Sequence, residues 1–220
     1  MTSDRSIRSA LLAELAVELE GDPDVRIVQE FAVLNGGGRV DIAVIGRSLH
    51  GFEIKSDRDT LKRFPDQIRL FSAALDCVTL VVGWKHVVEA MRMIPRWWAV
   101  RLAETDEEGR IHLTDLREPR DNPSPDPIAV ASLLWRDEAL GLLECCAAAD
   151  GFRSKRRDLI YERLATVTAV SQLKCAVVRS LKARGDGLSG VLSVSNGGSQ
   201  SPLATAWYSP VGLATAPSQR

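Results

Sequence analysis

Two short stretches bring acids and an ammonium group close enough to work together. The first is Arg39-Val40-Asp41-Ile42-Ala43-Val44-Ile45 and the second is Gly51-Phe52-Glu53-Ile54-Lys55-Ser56-Asp57. Both read as strands, whose side chains alternate between faces. A hairpin centred near Ser48 predicts Asp41 opposite Lys55 and Ala43 opposite Glu53, with all four side chains on one face. The other face then carries Val40, Ile42, Val44, Phe52 and Ile54, every one apolar. A slip of one residue would bury three charges, so the register is strongly specified.

Two carboxylates beside an ammonium suit a divalent cation. Mg²⁺ prefers an octahedron of oxygens and is commonly held by one or two carboxylates, waters and substrate phosphate. Asp41 and Glu53 supply such oxygens, and the Ile54 backbone carbonyl could add another. Water on such an ion becomes a usable nucleophile near neutral pH, and the ion offsets charge developing on a phosphate. Lys55 could hold or deprotonate that water, or offset charge on the scissile phosphate. The plain alternative is a solvated cross-strand ion pair contributing about 0.2–1 kcal/mol.

The elements that must position these groups are also legible. Ile7, Leu11, Leu12, Leu15 and Leu19 recur at helical spacing, and Gly21-Asp22-Pro23 ends that helix. Arg26–Leu34 is β-rich, and Asn35-Gly36-Gly37-Gly38 is a turn leading into Val40–Ile45. Lacking a following Lys-Ser/Thr, that glycine run is not a phosphate-binding loop. A helix is expected over Thr60–Leu75, capped by Asp57 or Asp59, with Pro65 costing it some regularity. Val78–Val82 reads as a strand buried on both faces. Trp97–Leu102 and Arg110–Leu116 read as a hairpin, and Ile128–Ala149 and Arg157–Ala183 as helical.

Composition divides the chain into a core over residues 1–118, a Pro/Asp/Ser linker over 119–127, a basic helical extension over 128–185 and an uncharged tail over 186–220 expected to be disordered. The net charge of −1 excludes binding of nucleic acid by bulk charge alone, and 45% hydrophobic content excludes wholesale disorder. The −1 conceals an imbalance: between Phe152 and Arg184 there are nine Lys/Arg against two acids. Arg153, Lys155, Arg156 and Arg157 open that stretch and are the candidate phosphate contacts. No apolar run reaches the roughly 18 residues that span a membrane, and no signal peptide is evident, so a cytoplasmic location is expected. Cys77, Cys145, Cys146 and Cys175 lack zinc spacing and read as reduced thiols, mostly core filler.

The Asp41…Glu53-Ile54-Lys55 pattern resembles that of the PD-(D/E)XK nuclease superfamily. The stretch from Gly51 to Leu61 is similar, more narrowly, to the bacterial sce7726 family. That likeness continues through Gln67, Val81-Val82-Gly83 and Lys85-His86, and reappears at Leu134-Trp135-Arg136-Asp137-Glu138 and Ser154–Arg157. Val40 stands where the name-giving proline would be. The resemblance implies an α/β, restriction-endonuclease-like mixed central sheet flanked by helices, here with the C-terminal helical extension. It implies hydrolysis of phosphodiester bonds, DNA more than RNA, with Mg²⁺ as cofactor and Mn²⁺ able to substitute. Asp41, Glu53 and Lys55 would be its motif residues, the first two binding metal together with Ile54.

By the same resemblance, Glu30 is placed like an upstream acid that binds metal through water, against a surface strand carboxylate as the alternative. Glu14 would be a supporting acid, or simply part of a solvated helix face. Gln67 is similar to the Gln of a RecB-like Q-x-x-x-Y motif whose Tyr is replaced by Phe71, and would position substrate or the metal shell. Arg39 and Arg58 could touch phosphate or pair with local acids, and one of Trp97-Trp98 could stack on a base. The expected function is a Mg²⁺-dependent nuclease. The rivals are an inactive nuclease-fold module of a repair or defence complex and a structural protein whose Asp41 and Glu53 are plain surface charge. The sequence leaves open whether the protein forms a homodimer.

Overall fold

The computed structural model describes residues 1–184 and the two-residue strand at 191–192. Its elements run α1 (Asp4–Glu18), β1 (Arg26–Val33), β2 (Gly38–Ile45), β3 (Leu49–Lys55), α2 (Phe64–Ala74), β4 (Cys77–Gly83), α3 (Val87–Met93), β5 (Ala99–Thr105), β6 (Ile111–Arg117), α4 (Pro127–Ala131), α5 (Arg136–Cys145), α6 (Arg157–Val167), α7 (Val170–Ala183) and β7 (Val191–Leu192). The strands form one mixed sheet in the order β6-β5-β4-β3-β2-β1-β7. β1, β2 and β3 are an antiparallel meander; β3, β4 and β5 are parallel; β6 returns antiparallel on β5. The parallel pairs require crossover connections, which α2 and α3 provide.

Helices cover both faces. On one, Ile7, Leu11 and Leu15 of α1 pack on Ile27, Ile42, Val44, Phe52 and Ile54. On the other, α2, α3 and the C-terminal helices close over Val28, Phe31, Val40, Ala43, Leu80, Val82 and Val100. β4 is covered on both sides, as its apolar run requires. Among the described residues no helix is long and apolar enough to cross a membrane.

The residues expected as a linker are pinned along α2: Asn122 Nδ2 donates to the carbonyls of Ser72 and Leu75 at 2.7 and 2.9 Å. The helices that follow share the core of the strands, through Ala131, Leu143, Leu164 and Leu173. Arg184 fastens them. Its guanidinium bonds Glu138 (2.5 Å) and the Leu133 carbonyl (2.8 Å) and lies 4.3 Å from the Trp135 ring. The expected tail lies outside the described residues apart from Val191–Leu192, which pair with Val28 and Ile27.

Four expectations are corrected. The β2/β3 hairpin is centred on Arg47, with Gly46 donating to the Ser48 carbonyl at 3.1 Å; Ala43 therefore faces Gly51 and Ile42 faces Phe52. The tight three-residue turn sets the centre one residue earlier, which moves the partners by two and keeps the face parity. Second, Val40 lies in the layer of Ala43, not that of Ile42. The β1/β2 ladder passes from Gln29↔Ile42 to Phe31↔Val40, omitting Glu30 and Asp41, and Glu30 has a left-handed φ of 53°. That turn of the backbone swaps the alternation on both strands. Third, α2 begins at Phe64, because Pro65 lacks an N–H and suits a helix's first turn. Fourth, Cys145, Cys146 and Cys175 are exposed and Cys77 half-buried, so the thiols are not core filler.

Gly83, at the end of β4, leaves no room for a side chain. A Cβ there would lie 2.5 Å from Asp57 Oδ1, 2.7 Å from Thr2 Oγ1 and 2.9 Å from the Asp57 backbone nitrogen. Gly83→Ala is expected to cost about 1–3 kcal/mol in urea denaturation. An unchanged midpoint would show that these contacts relax freely.

Candidate active site

β2 and β3 part beyond Ile42↔Phe52, while β3 continues beside β4 through Ile54↔Val81 and Lys55↔Val82. The end of β3 is therefore open on its β2 side. Asp41 fills the opening, its Oδ2 accepting from the Ile54 N–H at 2.7 Å. The N–H and C=O of a strand residue point to the same edge, so the Ile54 carbonyl faces the gap that Asp41 occupies.

Asp41 is also held by Arg8 of α1, at 2.6 Å from Nη2 to Oδ1, and Arg8 Nη1 donates to the Asp41 carbonyl at 2.9 Å. The same guanidinium reaches Asp4 at 3.3 Å and Glu30 at 3.2 Å. Glu30, half-exposed, takes a further contact from Arg39 at 3.5 Å. It is thus linked to Asp41 through Arg8 and lies on the outer side of the site. Burial raises the Asp41 carboxyl above its ordinary range, against the lowering effect of the Ile54 N–H and Arg8.

Glu53 is only 2% exposed. Its Oε1 accepts from Lys55 Nζ and from Gln67 Nε2, each at 2.5 Å. Lys55 also lies 5.5 Å from the Phe64 ring centre, and Gln67 approaches from α2. Glu53 Oε2 and Gln67 Oε1 are buried without a hydrogen-bond partner. Burial, then the charge of Asp41, pushes the Glu53 carboxyl up to about 8 despite Lys55 and Gln67.

These residues fit a divalent cation on the chemistry of the unmet atoms. With Glu53 ionised, both orphans are acceptor oxygens without a hydrogen-bond partner, and buried acceptors left unmet are costly. A cation with its waters satisfies such atoms. Asp41 has both oxygens bonded, yet a carboxylate offers about four lone-pair directions. Among the described residues no group of three or more His, Cys, Asp or Glu side chains forms, so there is no all-protein cage. A site of two carboxylates, a carbonyl and waters is instead of the kind Mg²⁺ uses.

The remaining candidates make other contacts. Glu14 bonds Arg101 at 2.7 Å, away from the site. Asp57 and Asp59 cap no helix: Asp57 accepts from the N–H groups of Thr2 and Lys85, and Asp59 from the Ser56 N–H and hydroxyl. Trp98 is fully buried and donates to Ser72 Oγ. Arg153 pairs with Glu144 and Arg156 with Asp158, while Arg136 donates to the carbonyls of Arg153 and Lys155. Lys174, Lys182 and Arg184 likewise pair with Asp76, Asp24 and Glu138. Much of the basic excess is thus answered by acids from distant segments. Arg153, Lys155, Arg156 and Arg157 have no hydrogen bond or ion pair to Asp41, Glu53 or Lys55 among the described residues. One site residue escaped the sequence reading: Arg8, which carries only the signal of Asp4 one helical turn before it. A separate cavity of about 400 Å³, lined by His50, Phe52, Cys77 and Arg101 among others, lies on the α1 face.

Fold and site together describe an α/β protein with a mixed, helix-flanked sheet and an acidic cluster where two central strands diverge. The chain belongs to the bacteriophage P4 protein cII family, whose family model matches residues 1–192. Protein cII of Enterobacteria phage P4 is 38% identical over 71 residues, which are 32% of this chain and 27% of the phage protein. The match thus spans about a quarter of that relative's length. A solved Silicibacter pomeroyi protein of unknown function is similar with a TM-score of 0.36 and 16% identity, covering 69% of this chain and 93% of its own.

The raised Glu53 carboxyl makes a testable link to stability. Between 4.5 and about 8 the folded protein keeps a proton that the unfolded chain has released. Metal-free stability should therefore fall as pH rises through that window. Glu53→Gln has no such proton and should flatten the slope, gaining on wild type as pH rises. Urea denaturation in chelator across the window checks this, and parallel curves for the two proteins would contradict it.

Proposed function

We propose that this protein is a Mg²⁺-dependent nuclease of the PD-(D/E)XK class, hydrolysing phosphodiester bonds of DNA in the cytoplasm. The observation that carries the reading is the pair of buried, unmatched oxygens, Glu53 Oε2 and Gln67 Oε1, beside Asp41 and the Lys55 ammonium. A divalent ion bound by Glu53, Asp41 and the Ile54 carbonyl, Mg²⁺ or Mn²⁺ in its place, would activate water and offset charge on the phosphate.

The chain's own groups each have a task. Gln67 holds the Glu53 carboxylate in one rotamer, leaving Oε2 directed away from the clamp. Arg8 and the Ile54 N–H orient Asp41. Lys55 uses one donor on Glu53 and keeps two for the attacking water or a phosphate oxygen. With Phe64 beneath it, its ammonium works in a poorly hydrated setting where a charge acts more strongly.

One observation favours a second reading, a nuclease fold that binds nucleic acid without cutting it: the Arg8–Asp41 ion pair is what a purely structural carboxylate would make. Cleavage of plasmid, linear and branched DNA by the purified protein, with Mg²⁺, Mn²⁺ or chelator, separates the two. Metal-dependent cutting is expected, falling about 10²–10⁴-fold in Asp41→Ala and Lys55→Ala. Full activity in either variant would overturn the assignment. Calorimetric titration of Mn²⁺ that gave no binding heat would favour the silent module.

A further inference from the structure

The parallel register carries more than the catalytic cluster to this end of the sheet. Lys55 pairs with Val82, so Trp84, two residues later, emerges beside the end of β3. Neighbouring strands lie about 5 Å apart. The loops leaving them, residues 56–63 and 84–86, are sewn together. Lys85 donates through its backbone N–H to Asp57 Oδ1 and through Nζ to the Asp57 carbonyl, each at 3.1 Å. His86 Nε2 lies 2.9 Å from the Asp59 carbonyl.

Charge on these loops is sorted by direction. Their two acids turn inward, Asp57 onto Thr2 and Lys85 and Asp59 onto Ser56. Arg58, Lys62 and Arg63 are exposed and pair with no acid among the described residues. On the second loop, tied to the first through Asp57 and Asp59, Trp84 is 68% exposed, and Val88, one helical turn further on, is 61% exposed. A fold that buries Trp98 completely gains nothing in stability from an indole left in water.

An exposed indole among unpaired cations matches a nucleic-acid strand, whose bases stack while its phosphates meet Lys and Arg. Bases paired and stacked inside a duplex do not offer their faces, so the ligand is unpaired. We propose that Trp84, with Arg58, Lys62 and Arg63, forms the surface that receives single-stranded nucleic acid and leads it to Glu53 and Lys55. The delivery half of this proposal rests on the nuclease reading; the binding half does not.

The test is fluorescence anisotropy of the full chain in chelator, with a labelled oligothymidylate and a blunt duplex of equal length. The single strand should bind at least about tenfold more tightly, and Trp84→Ala should weaken it by about tenfold or more while Trp84→Phe retains most affinity. Replacing Arg58, Lys62 and Arg63 together by Ala should lower the slope of log affinity against log salt by about 2. Equal affinity for duplex, no binding of either, or a Trp84→Ala protein that binds like wild type would overturn the proposal. Because Trp84 is exposed, a thermal melt matching wild type will show that Trp84→Ala is folded. If Trp84-dependent binding occurs without metal-dependent cleavage, the surface stands and the catalytic reading fails. Cleavage with Trp84-independent binding gives the reverse.

Discussion

A carboxylate with 2% of its surface in water must find its compensation inside the protein, and Glu53 sets much of the surrounding architecture by that requirement. Its donors come from two places: Lys55 on its own strand and Gln67 on α2. The helix following β3 is thereby tied to the strand end by a polar contact as well as by Phe64 and Phe71 in the core. The clamp satisfies one oxygen and leaves the other bare. A carboxyl held partly unsatisfied, with its proton affinity raised, costs the folded protein stability.

The second requirement is an opening in the sheet. Continuous pairing of β1, β2 and β3 would leave Asp41 within the pleat. Left-handed Glu30 interrupts the ladder at that level, the alternation changes hands, and β2 stops pairing with β3 one residue before Glu53. Asp41 can then turn into the gap. Strain of this sort costs about 1–3 kcal/mol and persists where surrounding structure enforces it. Here Arg8 bonds both Glu30 and Asp41, and the Ile54 N–H holds Asp41 in place.

Period-two patterning made the strands legible, because a buried apolar face and charged groups cannot share a side. It located Asp41, Glu53 and Lys55 near one another, and the glycine turn before β2 was equally plain. The partner assignments were not legible. They depend on the three-residue turn at Arg47, whose geometry leaves little trace in residue type. Val40 misled because alternation was extended through a position where the backbone reverses. Pro65 was read as a defect in a helix it in fact begins. Arg8 lies 33 positions from Asp41, and Glu138 46 positions from Arg184; such pairings arise only once the chain has folded. For the same reason, a window of sequence overstated the free positive charge of the C-terminal helices.

The Arg184 clasp bears on how that helical layer comes apart. Its single guanidinium, nearly excluded from water, grips the link between α4 and α5, the start of α5 and the Trp135 ring at once. Loosening any one of the three exposes a charged group that the other two cannot satisfy, so the residues around 133–138 and 184 must open as one cooperative unit, exchanging their amide hydrogens together.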